Sequence, residues 1–524
     1  MRFIELRLSA AISLLLTAAQ IFWASPLRAA TNPRSGGTLR VELHAASVSL
    51  DPREWQAGSL ESATSEKMAA LVFERLVELD NYGRFQPLLA TEWSHDASSK
   101  RWQFIIRGGV KFSDGTALTA ANVVTALQPL LPSTQQISPS GNVIVIQSSV
   151  PVPDLLEQIA SGPYFVYRVL PGGQLAGTGP FVLGEAPVAS ANTAAVTRAH
   201  LYFRANEDAW SGRPFVDGID VLLGVPPLRA MFDLQLGKAD LAELAPDLVP
   251  RARQSNLRIW TSEPVTLYAL RFDDAQNSAS SSDARLREAL SLSIDRGTMA
   301  NVLLQRQAEP AAALLPQWLS GYAFLFNVDA NLERAKELHR AISANATAGA
   351  DMLRLCVDLP GDLPKLLGER VAVNARQASM VVQVVSRAAA DAPGGVHLFA
   401  WHYSSLSSRS ELDSLFAAYN LSEAPEMNAT STDHEQLYER ERRVLEDRRV
   451  LPLVVQAESV GLGATVRDWM PARWGQWHLA DVWLDLPATA PSALSNTFSN
   501  APNAATPGVQ SVTPLRTPAP GAKP

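Results

Sequence analysis

Cysteine is almost missing from this chain: one thiol, Cys356, occurs in 524 residues. A single thiol can form neither an internal disulfide nor a multi-cysteine metal site. It lies in the apolar run MLRLCVDL, with no neighbour in sequence to polarise it, and reads as a small buried hydrophobe in a strand. Blocks of lysine and arginine are also missing, and the formal net charge is −7. That argues against a nucleic-acid binder, which carries a basic patch. The eight histidines are scattered without ligand spacing, so no metal site is predicted. No HExxH, G-x-S-x-G or P-loop occurs, and GTGPFVLG (177–184) lacks the GxGxxG spacing of a nucleotide cradle. No cofactor is implied, and the chain does not read as an enzyme. Beyond residue 30 no apolar run reaches the ~18 residues of a membrane span.

What is present is ordinary for a soluble globular protein: 47% hydrophobic and 19% charged residues. The length exceeds one compact core and predicts two or three lobes. Residues 1–30 read as an export signal. Arg2 and Arg7 precede the apolar stretch 8–24, and SPLRAA offers small residues for cleavage near Ala29 or Ala30. An uncleaved membrane anchor is the rival reading of that segment. No cysteine follows it to carry a lipid. The mature chain is therefore expected outside the cytoplasm. Residues 487–524, rich in Pro, Ala, Ser and Thr, cannot bury enough apolar surface to offset ordering and read as a disordered tail.

Between these ends strands and helices interleave, which predicts a mixed α/β fold. GGTLRVEL alternates as a strand, and LVFERLVELD runs into the turn NYGRF. RWQFIIRGGVKFSDG reads as two strands broken by Gly108 and Gly109, with Asp114-Gly115 as a turn. TAANVVTAL reads as a helix capped by Thr119. SSDARLREALSLSIDR is a helix with Leu286, Ala289, Leu290, Ser293 and Ile294 on one face and Asp283 near its start. Asp295-Arg296 at its end reads as a surface pair or a cap. NLERAKELHRAI is a helix capped by Asp329 or Asn331. The order MLRLCVDL, KLLGERVAVNARQA, MVVQVVSR is β-α-β, which predicts parallel strands. Trp93, Trp102 and Phe104 sit in alternating patterns and read as core aromatics.

The order of these landmarks resembles the peptide/nickel-type (family 5) extracytoplasmic solute-binding proteins of ABC importers, from about residue 36 to residue 486. GGTLRVEL followed by LDP (50–52) is similar to the family's entry strand and first loop. FERLVELDNYGRFQPLLATEWSHDASSKRWQFIIRGGVKFSDGTALTAANVVTAL looks like its most specific stretch. GTGPFVL (177–183), FRANEDAWSGRPFVDGIDV, LQLGKADLAE, LREALSLSIDR and ERAKEL follow in the family's order.

The resemblance implies a two-lobed fold that closes on a ligand by hinge motion, with an extra subdomain inserted in the first lobe. The expected division is 31–50, 177–271 and 451–486 for the first lobe, 51–176 for a shortened insertion, and 272–450 for the second lobe. It implies capture of a peptide or similar small molecule by a periplasmic monomer, and delivery to a membrane permease with its cytoplasmic ATPase. The pocket segment of peptide-binding relatives, "W-x-a-D-y-x-D-P", matches here at Trp401, but Ser404 stands at the acid position and the later "DP" is missing. Recognition of a free peptide N-terminus is thereby in doubt. The candidate ligand-binding residues are Trp401, His402, Tyr403 and Ser404, beside Ser405. Trp401 and Tyr403 would form a stacking floor and His402 a hydrogen-bonding or metal-chelate contact. The competing account buries Trp401 as lobe packing and leaves His402 on a solvent-facing edge. Two other functions stay open at this stage: a repurposed binding scaffold acting as sensor or envelope partner, and an envelope hydrolase using carboxylates such as Glu263, Asp273 and Asp274.

Overall fold

A computed structural model describes residues 32–80, 82–185, 199–272, 283–327, 329–344, 352–386, 395–421 and 433–486. The expected signal (1–30) and tail (487–524) lie outside the described residues, as do Asp273 and Asp274.

One 11-stranded sheet organises the molecule. Its strands are β1 (Thr38–Glu42), β2 (Phe181–Gly184), β3 (His200–Ala205), β4 (Gly218–Leu222), β5 (Leu241–Glu243), β6 (Arg258–Phe272), β7 (Ala308–Pro310), β8 (Leu353–Val357), β9 (Val382–Val385), β10 (Val396–His402) and β11 (Val450–Leu462). They lie in the order β2-β3-β4-β1-β5-β11-β6-β10-β8-β9, with β7 also beside β11.

The two longest strands, antiparallel β6 and β11, belong to both lobes. At one end Trp260, Val460 and Leu462 pack with Leu39, Val41, Phe203 and Ile219. At the other, Leu270, Phe272, Leu451 and Leu453 pack with Leu286, Leu355, Leu367 and Leu398. Midway, the register shifts on both sides of Pro264, a residue with no N–H to give the ladder. The chain is thus a two-lobed α/β protein with a pair of crossing strands, as its resemblance implied.

Helices cover the sheet; those at Ala120–Leu127, Ala284–Ser293, Leu332–Ser343 and Asp362–Gln377 fall where the sequence placed them, whereas those at Leu60–Ala69 and Ser408–Tyr419 were not anticipated. α1 (Leu60–Ala69), capped by Ser59, runs from the second lobe, where Leu60 packs, to the first, where Met68 and Ala69 are buried. α2 (Ala120–Leu127) begins in a capping box of Thr119 and Asn122. It covers a separate four-stranded sheet whose core holds Trp102, Phe104 and Ile144. In the second lobe, α3 (Ala284–Ser293) is capped by Asp283 and α4 (Leu332–Ser343) by Asn331. α5 (Asp362–Gln377) joins β8 to β9, which pair in parallel. α6 (Ser408–Tyr419) follows β10.

Two local expectations are corrected. Only the first half of RWQFIIRGGVKFSDG is a strand, at Arg101–Ile106. Beyond it the backbone bonds locally, with Phe112 and Thr116, and Leu118 and Val110, closing the Asp114-Gly115 turn, so only an isolated bridge from Lys111 to Ala117 remains. Asp295 is a cap, accepting the Thr298 N–H at 2.9 Å, but Arg296 makes no surface pair. It is 5% exposed and donates to the carbonyls of Pro452 (2.7 Å) and Ser291 (3.1 Å), tying the end of α3 to β11.

Candidate ligand-binding site

Side chains alternate across a strand, and β10 uses both faces. Phe399 and Trp401, with Tyr403 just past the end, enter a core with Leu267, Leu412 and Leu415. Leu398 and Ala400 enter the opposite core, and His402 continues that face toward β11.

Trp401 is 1% exposed. Its indole Nε1 donates to Glu411 Oε2 at 2.8 Å, and its ring meets Tyr419 edge-on at 6.0 Å. Its other side rests on Gly58, where a Cβ would come within 2.1 Å of the ring. The stacking floor expected of Trp401 is therefore replaced by packing, because both its faces are covered. His402 is not on a solvent-facing edge either. Its N–H donates to the Gly58 carbonyl at 2.8 Å, and Nδ1 lies 3.2 Å from Thr266 Oγ1 and 4.0 Å from Glu458 Oε1. Burial pushes its pKa down to about 4, with Glu458 pulling the other way.

Tyr403 donates its hydroxyl to the Leu314 carbonyl. The N–H groups of Ser404 and Ser405 both donate to Glu411 Oε1, at 2.7 and 2.5 Å. Glu411 stands in the first turn of α6, where a carboxylate is favoured. Burial nonetheless pushes it up to about 7 against the pull of its three donors.

His402, Tyr403 and Ser404 border one cavity of about 710 Å³; Trp401 lies behind them. The opposite walls come from α1, the 73–80 segment, and the 468–481 loop. Lys67 of α1 reaches Glu458 of β11 with both carboxylate oxygens at 2.7 and 2.8 Å, and its ammonium stands 5.4 Å from the centre of the Trp477 ring. Burial alone would lower Lys67, but the Glu458 and Glu243 carboxylates outweigh it and hold the group cationic. Glu66 pairs with Arg75 at 2.5 Å; burial drives the two pKa values toward neutrality while each keeps the other charged. Arg75 also lies 3.8 Å over the Phe165 ring.

Glu263 is held by Arg473 rather than by a second carboxylate. Among the described residues, no three His, Cys, Asp or Glu side chains stand close enough to hold a metal ion.

The model of the bacterial extracellular solute-binding proteins, family 5 Middle, matches residues 84–385, more than half of the chain. The chain belongs to that family. This family-5 protein is 23% identical over 259 residues to the nickel-binding periplasmic protein of Escherichia coli, a match covering 44% of this chain and 47% of that one. The chain thus spans about half the length of the curated relatives it matches. Its fold is that of NikA from Staphylococcus aureus, solved with Ni(L-His)2, at TM-score 0.68 and 16% identity, covering 86% of this chain and 100% of that one. The oligopeptide-binding protein AppA of Bacillus subtilis, solved with a nonapeptide, gives 0.64 at 16% identity, covering 86% and 99%.

Sequence reading missed most of the cavity wall of this family-5 protein. Lys67 and Glu458 are 391 residues apart, and nothing local announces their meeting. The 468–483 loop did carry a signal, since DWMPARWGQWHLADVW holds four tryptophans in sixteen residues. Trp474 and Trp477 line the cavity, whereas Trp469 and Trp477 meet edge-on in the first-lobe core.

Proposed function

We propose that this protein is the extracytoplasmic solute-capturing component of an ABC-type importer, holding a peptide-sized ligand between its lobes for delivery to a membrane permease and its ATPase. One observation carries the reading: a 710 Å³ cavity bordered by groups of both lobes, next to the two strands that connect them. Contacts made with both lobes exist only when the lobes are together, so a ligand there shifts the population toward the closed form. His402, Tyr403 and Ser404 contribute the second-lobe wall, and Trp401 supports them from behind. No covalent step is required.

The division into lobes follows the same reading, with 31–50, 177–271 and 451–486 in the first lobe and 272–450 in the second. The burial of Met68, Leu71 and Phe73 in the first-lobe core favours starting the inserted subdomain near Leu76 rather than at residue 51. Family membership favours a location outside the cytoplasm, and no helix among the described residues is long and apolar enough to cross a membrane.

The test is a thermal-shift screen of the full chain against peptides, sugars and chelated metals. A ligand binding only the folded state adds about 2.7 kcal/mol at a hundredfold excess over its Kd. A hit should also shrink the radius of gyration in solution scattering. Stabilisation by no member of a broad library would sink the importer reading and favour a scaffold that binds protein partners.

A further inference from the structure

Leu406 packs outside its own lobe. It follows β10 in the second lobe, yet its side chain rests on the core of the four-stranded subdomain, among Trp102, Phe104, Leu155 and Ile159. Two hydrogen bonds cross at the same place. The Leu406 N–H donates to Ser161 Oγ at 3.0 Å, and Ser407 Oγ donates to Asp154 Oδ2. Asp154 and Ser161 flank a short helix (Leu155–Ile159) of the inserted subdomain, some 250 residues earlier in the chain than their partners. Both serines are 1% exposed, and each hydroxyl uses donor and acceptor capacity together. Ser161 Oγ also donates to the Glu157 carbonyl at 2.6 Å, and Ser407 Oγ also accepts the Ser410 N–H at 3.0 Å, at the start of α6.

A buried carboxylate holds each side of this seam in shape. On the subdomain side Glu66 accepts the Gly162 N–H at 3.1 Å, while Arg75 donates to the Gly162 carbonyl at 2.5 Å. On the second-lobe side Glu411 gathers the N–H groups of Ser404 and Ser405. The two sides touch again at Gly162, where a Cβ would stand 3.7 Å from the Ser404 carbonyl oxygen. Ala160 and Phe165 of one side, and Ser404 and Leu406 of the other, border the cavity, so the seam closes one of its sides. The bonds across it are made wholly by the protein's own groups. They are also few. One leucine and two hydroxyls can part and re-form, whereas β6 and β11 are joined along a continuous ladder.

We propose, building on the solute-binding reading above, that this seam is the gate of the cavity. The inserted subdomain latches onto the second lobe through Leu406, Ser161 and the Asp154–Ser407 bond, and a solute enters when the latch parts. The latch biases the protein toward the closed form before any solute adds its own contacts, so it sets how often the cavity stands open.

Hydrogen exchange and small-angle scattering of the full chain test this without any solute. In Asp154→Ala the acceptor of the Leu406 N–H is intact, so faster exchange at Leu406 reports parting of the seam rather than a lost bond. A rise of about tenfold or more over wild type is expected, the size of one hydrogen bond to a charged group, together with a larger radius of gyration. Ser161→Ala, which breaks the other bond, should enlarge the radius too. Asp413→Ala, at an exposed acid of α6 paired with Arg440, should change neither. A cooperative melt well above the temperature of measurement shows that each variant folds. Unchanged exchange at Leu406 in Asp154→Ala overturns the gate, and so does an unchanged radius in both seam variants, since the contact is then local packing. Wild-type exchange at Leu406 as fast as in an unstructured peptide also overturns it, because the seam is then open. Each of these outcomes leaves the importer reading standing, which the solute screen decides.

Discussion

Gly58 sits at φ +73° with the Trp401 ring against its Cα and its carbonyl bonded to the His402 N–H. Both facts exclude a side chain, since the left-handed backbone disfavours a Cβ and the ring occupies its place. Gly58→Ala is expected to destabilise the protein by roughly 2–4 kcal/mol. It should also shift Trp emission, because Trp401 must move to admit the methyl. Chemical denaturation reads the first effect and fluorescence the second; an unchanged midpoint would mean the segment carrying Gly58 does not rest on β10 in solution. Arg296 is a second residue whose role depends on place rather than type. Its guanidinium is buried among carbonyls, with no carboxylate, and burial lowers its pKa to about 10. Arg296→Met keeps the bulk but strips the donors from the Ser291 and Pro452 carbonyls. A loss of about 2–4 kcal/mol is expected by urea denaturation. A loss under about 0.5 kcal/mol, the usual size for a surface change, would show that water replaces those donors.

At the scale of elements, α6 does more than cover the sheet. Its first-turn residue Glu411 gathers the Trp401 indole and the N–H groups of Ser404 and Ser405, so one carboxylate fixes how the chain leaves β10 toward the cavity. Glu411→Ala should therefore loosen the 403–406 wall as well as lower stability. Hydrogen exchange at Ser404 and Ser405 is the direct measurement; protection equal to wild type would remove this role. The elements themselves were legible because their causes are local. Asp283, Asn331 and Thr119 cap the helices predicted for them, and MLRLCVDL alternates as its strand does. The same local logic failed after Gly109, where a tight turn takes up the hydrogen bonds a second strand would have used. It also failed at Arg296, whose acceptors include Pro452, 156 residues away. The cavity was legible only on the side that β10 and its following loop supply. Its other walls meet through tertiary folding, and a sequence pattern records neither that Lys67 faces Glu458 nor that Gly58 covers Trp401.

Across the whole molecule, the described carboxyl groups of Glu74, Glu411 and Glu441 are buried and held by hydrogen-bond donors. Glu441 accepts from the Leu314 and Leu315 N–H groups and the Tyr322 hydroxyl. Burial lifts all three to about 7, from a usual value of 4.5. Between those limits the folded protein holds protons that the unfolded chain has released. Stability is therefore gained as pH falls from above 7 toward 4.5, and lost again as it rises. His402 acts in the opposite sense. Its folded value is about 4 against 6.5, so the unfolded chain binds the extra proton and stability falls with pH through that window. His478, lowered by burial and by Arg75, adds to the loss. Burial raises Glu66, Glu78 and Glu157 in the same direction, so the raised carboxyls outnumber the two lowered histidines, and the net rise begins above pH 6.5, before the histidines titrate. Below 4.5 the gains are complete. Further acid then protonates carboxylates that the fold holds ionised, among them Glu458 against Lys67, and the ion pair is lost. The melting midpoint should accordingly climb by several degrees from pH 7.5 to about 5 and drop below about 4. A scan in matched ionic strength decides the matter, and Glu441→Gln should flatten the rising limb, since a neutral amide has nothing to titrate. A midpoint highest near pH 8 and falling steadily toward pH 5 would mean that water or a cation reaches these carboxylates and keeps them ionised.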